Sequence, residues 1–325
     1  MARQPFVDSV SRDASAAGDV PGRSRLASLV VSLRPGQWTK NLVVFAGLLF
    51  GRRLFDLTAL AEACAAAAIF CALSGVVYLL NDVADREADR RHPLKSKRPI
   101  ASGELSPGLA LATAAALAVV SLAFAFALRP AFGVVALAYV VLLAAYSARL
   151  KHVVIIDVLT IAIGFVLRAV AGAVVINVAI SHWLLVCTVL LALFLALSKR
   201  RHELTLLAEG ATEHRRILGE YSPYLLDQMI GVVTASTLIA YIFYTISPET
   251  VQNFNTEYLA LTIPFPLYGI FRYLYLVHQK EGGGSPTEML VTDRPLLACV
   301  ALWAVAVVLI VYGPAQIAGL FGPRL

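Results

Sequence analysis

Asp82, Asp85 and Asp89 recur at i, i+3 and i+7 in the run Asn81-Asp82-Val83-Ala84-Asp85-Arg86-Glu87-Ala88-Asp89. If this stretch is helical, 3.6 residues per turn puts the three carboxylates on one face, within an arc of about 60°. Three carboxylates with no His or Cys among them make a hard oxygen site. Such a site suits Mg2+, which keeps some of its waters and is shared with substrate phosphates. Glu87 falls on the other side and reads as a solvated charge. Like charges three and four apart repel in a helix, so the stripe needs compensation, and a divalent ion is the economical source. Arg90, Lys95, Lys97 and Arg98 follow at once. A diphosphate bridged to the metal would therefore meet cations on its free oxygens. The opposing reading, in which the Asp residues merely end a helix and face water, leaves the repulsion unexplained.

Tyr146, Lys151 and Asp157 form a second candidate group. A lone Lys between apolar stretches is by itself a topology signal, but Lys151 lies beside an Asp that enters the next stretch. Asp157, Gly164 and Arg168 recur at i, i+7 and i+11, again on one helical face. A charge inside a membrane costs roughly 2.5–3.5 kcal/mol on insertion scales, so this face must turn toward a polar cavity between helices. Arg168 lies about 16 Å beyond Asp157 along an ideal helix, too far for a direct pair. Three roles stay open for it: lining the cavity floor, meeting a lipid phosphate, or bonding carbonyls structurally. For the isolated cations Lys40 and Arg272, the default is snorkelling to the interface.

The elements that must hold these residues are set by composition. Hydrophobic residues make up 59% of the chain and charged ones 15%, with a mean hydropathy of +0.75. This is a membrane composition, and the expected fold is an all-α membrane bundle. Nine apolar stretches read as spans, at 37–51, 58–80, 108–127, 130–147, 154–176, 181–198, 224–246, 257–278 and 295–319. Lys and Arg collect before the first stretch and in the connections after the second, fourth, sixth and eighth, which makes that side cytoplasmic. The formal charge of +6 is thus gathered on one face. It suits anionic lipid heads or a phosphorylated substrate, and no nucleic acid is expected as a partner. Both candidate groups fall at this cytoplasmic face of a bacterial-type inner membrane.

Residues 1–25 are polar and lack the apolar core of a signal peptide, which reads as a disordered cytoplasmic tail before a single multi-span domain over 26–325. Cys64, Cys71, Cys187 and Cys299 are scattered singly and read as packing residues. The histidines form no zinc constellation. Glu281-Gly282-Gly283-Gly284-Ser285-Pro286 reads as a flexible loop without a phosphate-loop signature. The sequence carries no signal of oligomeric state.

NDVADREAD, KSKRPIASG and YSARLKHVVIID resemble the signatures of the UbiA superfamily of intramembrane prenyltransferases, the first of which is NDxxDxxxD. The resemblance extends to one branch, the decaprenyl-phosphate phosphoribosyltransferases. It is carried by Arg34-Pro35-Gly36-Gln37-Trp38-Thr39-Lys40-Asn41, His92-Pro93-Leu94-Lys95, Leu150-Lys151-His152, Arg168-Ala169-Val170-Ala171-Gly172 and Lys199-Arg200. It covers about residues 33–300 and implies a UbiA-like bundle of about nine helices around a central cavity open to the cytoplasm. The reaction it implies is transfer of 5-phosphoribose from 5-phosphoribosyl diphosphate (PRPP) to a polyprenyl phosphate. By this resemblance Asp82, Asp85 and Asp89 hold Mg2+, with Asn81 orienting the first carboxylate or contacting the sugar. Lys40, Lys95, Arg98, Lys151 and Arg168 neutralise phosphates, Arg90 and Lys199 are further substrate-binding candidates, and Tyr146 and Asp157 shape the sugar pocket. The alternative is an aromatic prenyltransferase with a prenyl diphosphate donor. In that branch the basic segment more often reads RTKNRPL than the HPLKSKRPI found here. A transporter fits less well, because transporters place substrate sites near the midplane on broken helices.

Overall fold

The protein is described from a computed structural model, over residues 23–92, 95–206, 216–280 and 286–320. Most of the expected N-terminal tail, Pro93 and Leu94 of the basic run, and residues 281–285 of the glycine loop lie outside the described residues.

The described residues are helical and contain no strand. In chain order they form α1 (Arg25–Ser32), a 3₁₀ segment (Pro35–Phe45), α2 (Ala46–Phe50), α3 (Leu57–Ala84), α4 (Arg86–Arg91), a 3₁₀ turn (Lys95–Lys97) and α5 (Pro99–Ser102). Next come α6 (Pro107–Leu128), α7 (Pro130–Ala148), a 3₁₀ turn (Leu150–His152), α8 (Ile156–Val175) and α9 (His182–Leu206). The rest comprises a 3₁₀ segment (Arg216–Glu220), α10 (Pro223–Ile246), α11 (Pro248–Phe254), a 3₁₀ segment (Tyr258–Thr262), α12 (Pro264–Gln279), α13 (Pro286–Thr292) and α14 (Arg294–Leu320).

Helix starts are written in the sequence. Asp56 caps α3 through the amides of Thr58 and Ala59. Ser106-Pro107, Ser222-Pro223 and Ser247-Pro248 each pair a capping hydroxyl with a proline at the first helical position, where its missing N–H costs nothing. Large apolar side chains such as Leu57, Val119, Phe124, Val232 and Leu309 stay exposed, as expected for helices facing lipid. Among the described residues, eight helices are long and apolar enough to cross a membrane, and the chain is a multi-pass membrane protein. Half of the α3 span and 56% of the α8 span are buried, against 22% for α6 and α7. α3 and α8 therefore form the centre of the bundle; Asp82 and Asp157 lie on them, and the rest of both candidate groups lies on the adjoining α4, α7 and the turn Leu150–His152 or at the caps between.

One expectation is corrected. Residues 37–51 are not a ninth regular spanning helix; they fall in 11 residues of 3₁₀ helix followed by the five of α2. The stretch packs between α3 and α8, beginning beside Asp82 at Arg34 and ending where the Tyr312 hydroxyl bonds the carbonyls of Leu48 and Leu49. Close approach explains its path. A Cβ on Gly172 of α8 would overlap the Val44 carbonyl, and one on Gly47 would come within 2.9 Å of the Ala173 backbone. Only glycine lets the two backbones meet there, and that contact seats Asn41 against Arg168.

Candidate active site

At the end of α3 the ladder of amide bonds continues through a kink. The Asp85 N–H reaches the Asn81 carbonyl and the Asp89 N–H reaches that of Asp85, each at 2.8 Å. The i, i+3, i+7 spacing therefore survives, although Asp85 itself is a cap between α3 and α4. Asp82 and Asp89 are buried, while Asp85 remains 32% exposed. Buried carboxylates require partners, and each of the three has a cation. Asp82 accepts from Arg34 and, at 3.1 Å, from Arg98. Asp89 accepts from the same Arg98 nitrogen at 2.6 Å. Asp85 accepts from Lys151 at 2.6 Å. Three carboxylates thus face three cations drawn from separate parts of the chain.

Two hard oxygen donors already converge on one positive charge, since Arg98 Nη1 touches both Asp82 and Asp89. In donor chemistry the set fits a hard divalent cation. Among the described residues, however, no three of Asp, Glu, His and Cys are gathered closely enough to chelate an ion by themselves.

The second group is arranged around Asp157, which is fully buried at the first turn of α8. Its carboxylate accepts from Arg200 Nε and from the Tyr221 hydroxyl, both at 2.9 Å. Arg200 extends to Glu203 at 2.6 Å and to the Tyr146 hydroxyl at 3.4 Å. Burial pushes the Tyr221 phenol up to about 12, so it stays protonated as a donor to Asp157. The Tyr221 oxygen also accepts the Ile155 N–H at 2.7 Å. Ile155 has φ 69° and ψ −43°, a conformation that costs a β-branched residue roughly 1–3 kcal/mol.

Deeper in the bundle, Arg168 is buried and satisfied by neutral groups. Its Nε donates to Asn41 Oδ1 at 2.8 Å, one terminal nitrogen to the Gly164 carbonyl at 3.0 Å, and the other to the Tyr139 hydroxyl at 2.6 Å. The guanidinium lies over the rings of Tyr139 and Phe165, 4.8 and 5.0 Å from their centroids. Of the three roles open from sequence, this geometry is that of structural bonding.

The remaining predicted residues divide. Lys40 is half-buried and repelled by three cations, Lys199, Arg168 and Arg34, while Lys199 lies 3.8 Å from Glu203. Lys40 and Lys199 are thus charged neighbours, with Glu203 beside Lys199. Asn81 supplies the carbonyl that anchors Asp85. Lys95 sits on the turn before Arg98, its N–H on the His92 ring nitrogen at 3.3 Å. Arg90 is not brought to the cluster, because it pairs with exposed Glu87 at 3.1 Å and bonds the Ala101 carbonyl, tying α4 to α5. Three residues central to the geometry were not singled out from sequence as site residues. Arg34 lay inside the RPGQWTKN motif, which was a usable signal. Arg200 stands one position beyond Lys199. Tyr221 had no signal.

These observations define a multi-span helical membrane protein whose polar cluster sits at one end of its two central helices. The chain belongs to the UbiA prenyltransferase family, which it matches over residues 41–292. It is 31% identical over 301 residues to the decaprenyl-phosphate phosphoribosyltransferase of Corynebacterium glutamicum, covering 90% of this chain and 89% of that protein. It is likewise 31% identical to the protein of the same name from Mycolicibacterium smegmatis, over 87% of this chain and 92% of that one. The fold matches a UbiA homolog from Archaeoglobus fulgidus bound to GPP and Mg2+, with a TM-score of 0.68 and 20% identity over 87% of this chain and 99% of that one.

Proposed function

We propose that this chain is a membrane phosphoribosyltransferase that moves 5-phosphoribose from PRPP to a polyprenyl phosphate, forming polyprenylphosphoryl-5-phosphoribose and releasing diphosphate. The observation that carries the reading is the near full-length similarity to two decaprenyl-phosphate phosphoribosyltransferases, about nine-tenths of each chain being covered. The site has the chemistry this reaction needs. Residues 26–325 act as the catalytic domain, in a bacterial-type cytoplasmic membrane, with the Asp cluster at the cytoplasmic end of a central cavity. The Arg and Lys residues of the connections after α3, α7 and α9 support that orientation.

Asp82, Asp85 and Asp89 would hold Mg2+, which would supply positive charge against the charge developing on the departing diphosphate. Arg34, Arg98 and Lys151, released from the carboxylates, turn to phosphate oxygens of the donor. Lys40 and its neighbour Lys199 receive a further phosphate. The bond from the anomeric carbon to diphosphate breaks with its electron pair on the leaving group, and an oxygen of the lipid phosphate forms the new bond to that carbon. That oxygen is already anionic at neutral pH, so no residue is required as a strong base. Catalysis here is positioning and electrostatics.

The test offers purified enzyme labelled PRPP with polyprenyl phosphate and, separately, a prenyl diphosphate with 4-hydroxybenzoate. Label entering the lipid phase only from PRPP is the expected result. Prenylation of the ring with no phosphoribosyl transfer would establish the aromatic prenyltransferase reading in its place.

A further inference from the structure

The loop that carries Lys151 is held in a costly shape by groups that never touch the Asp cluster. It leaves α7 just after Tyr146, makes the 3₁₀ turn Leu150–His152 and enters α8 through Ile155. Ile155 takes φ 69°, and its side chain is 46% exposed. Burial of that side chain therefore does not hold the backbone there, and no side chain caps the helix it begins. Strain of this kind persists only where surrounding bonds over-determine it. Backbone bonds close the loop on itself, from the Val153 N–H to Leu150 and the Asp157 N–H to Val153, while the side-chain bonds that reach Ile155 from other elements run in one chain. The Ile155 N–H donates to the Tyr221 hydroxyl, which donates to Asp157, whose other oxygen is fixed by Arg200. Arg200 also reaches Tyr146 at the far end of the loop. Both ends of the loop are thus bracketed, and between them Lys151 extends to Asp85.

We infer that Tyr221 is a positioning residue for Lys151: its hydroxyl holds the strained turn at Ile155 and so aims the Lys151 ammonium at the Asp85 end of the site. Asp157 and Arg200 act in the same chain, as orienters of the Tyr221 proton. The role assigned to Lys151 rests on the phosphoribosyl transfer proposed above, whereas the clamp itself rests only on the geometry. Tyr221 lies in the connection between α9 and α10, so its hydroxyl couples that connection to the loop between α7 and α8.

The test is Tyr221→Phe, which removes the hydroxyl and keeps the ring, studied in the full-length protein with Lys151→Ala and the double variant. Tyr221→Phe is expected to raise the donor KM about tenfold, the order of effect of misplacing a positioning group, and to leave the acceptor KM unchanged. The double variant is expected to be no worse than Lys151→Ala alone, because two residues acting as a unit are not additive. Hydrogen exchange, read by mass spectrometry on peptides spanning 149–157, is expected to lose protection in Tyr221→Phe without substrate present. Multiplicative loss in the double variant, or unchanged exchange over 149–157, overturns the inference. The exchange arm involves no substrate, so a wild-type enzyme that proved inactive on PRPP would overturn the proposed function while the clamp is still decided.

Discussion

Two of the charge networks in this bundle, one at the end of its central helices and one deeper between them, are built on opposite plans. Around Asp82, Asp85 and Asp89, every carboxylate is matched by a cation, and the cations Arg34 and Arg98 remain 26% exposed. Around Arg168, a single cation is enclosed by neutral oxygens and aromatic rings, with 6% exposure. Ion pairs at a partly open end can exchange partners, so a metal ion can take the carboxylates while phosphate takes the cations. A guanidinium held by an asparagine, a tyrosine and a backbone carbonyl has nothing to exchange. The first plan suits chemistry and the second suits a fixed scaffold, even though the sequence presents both simply as charges on helices.

The contrast can be broken by substitution. Asp82→Ala or Asp85→Ala is expected to reduce turnover by on the order of 10³-fold or more, as loss of several kcal/mol of metal-borne stabilisation would. The variants should still fold in detergent, Asp82→Ala with a lower unfolding midpoint because Arg34 loses its carboxylate, and near wild-type activity would remove the cluster from the mechanism. Lys151→Ala should lower kcat/KM for the donor by on the order of 10²-fold, the effect of losing one electrostatic contact to the reacting group. Unchanged kinetics in both substrates would return it to a topology signal. Arg168→Leu inverts the pattern: its orphaned partners should cost about 3 kcal/mol of stability, read as a lower unfolding midpoint, while turnover per folded molecule stays near wild type. A large loss of turnover without loss of stability would move Arg168 into the active site. Glu87→Ala, on the solvated side, should change neither activity nor stability by more than about 0.5 kcal/mol.

The spans and the Asp stripe were legible in the sequence while the contrast between the two networks was not, for identifiable reasons. The eight regular spans follow from apolar runs bounded by Asp, Ser and Pro, and the observed helices start within a few residues of the expected positions. Residues 37–51 misled because apolar length does not distinguish α from 3₁₀ helix, and the deciding contact, Gly172 against Val44, comes from a distant part of the chain. The Asp spacing was legible because helical periodicity is local. Of its partners, Arg98 and Lys151 were singled out, but Arg34, 48 positions from Asp82, was not, nor were Arg200 and Tyr221, which meet Asp157 from 43 and 64 positions away. Choosing Lys199 rather than Arg200 is a shift of one residue, yet one residue turns a helix by about 100°. Only packing decides which of the two meets Asp157.

The central claim, that the three carboxylates give up their cationic partners to a divalent ion, is tested most directly by titrating the full-length protein with Mn2+ in place of Mg2+ and reading bound ion by electron paramagnetic resonance, with and without PRPP. The account predicts saturable binding that tightens with PRPP and is lost in Asp82→Ala and Asp85→Ala but kept in Glu87→Ala. Equal binding by wild type and both Asp variants would contradict it.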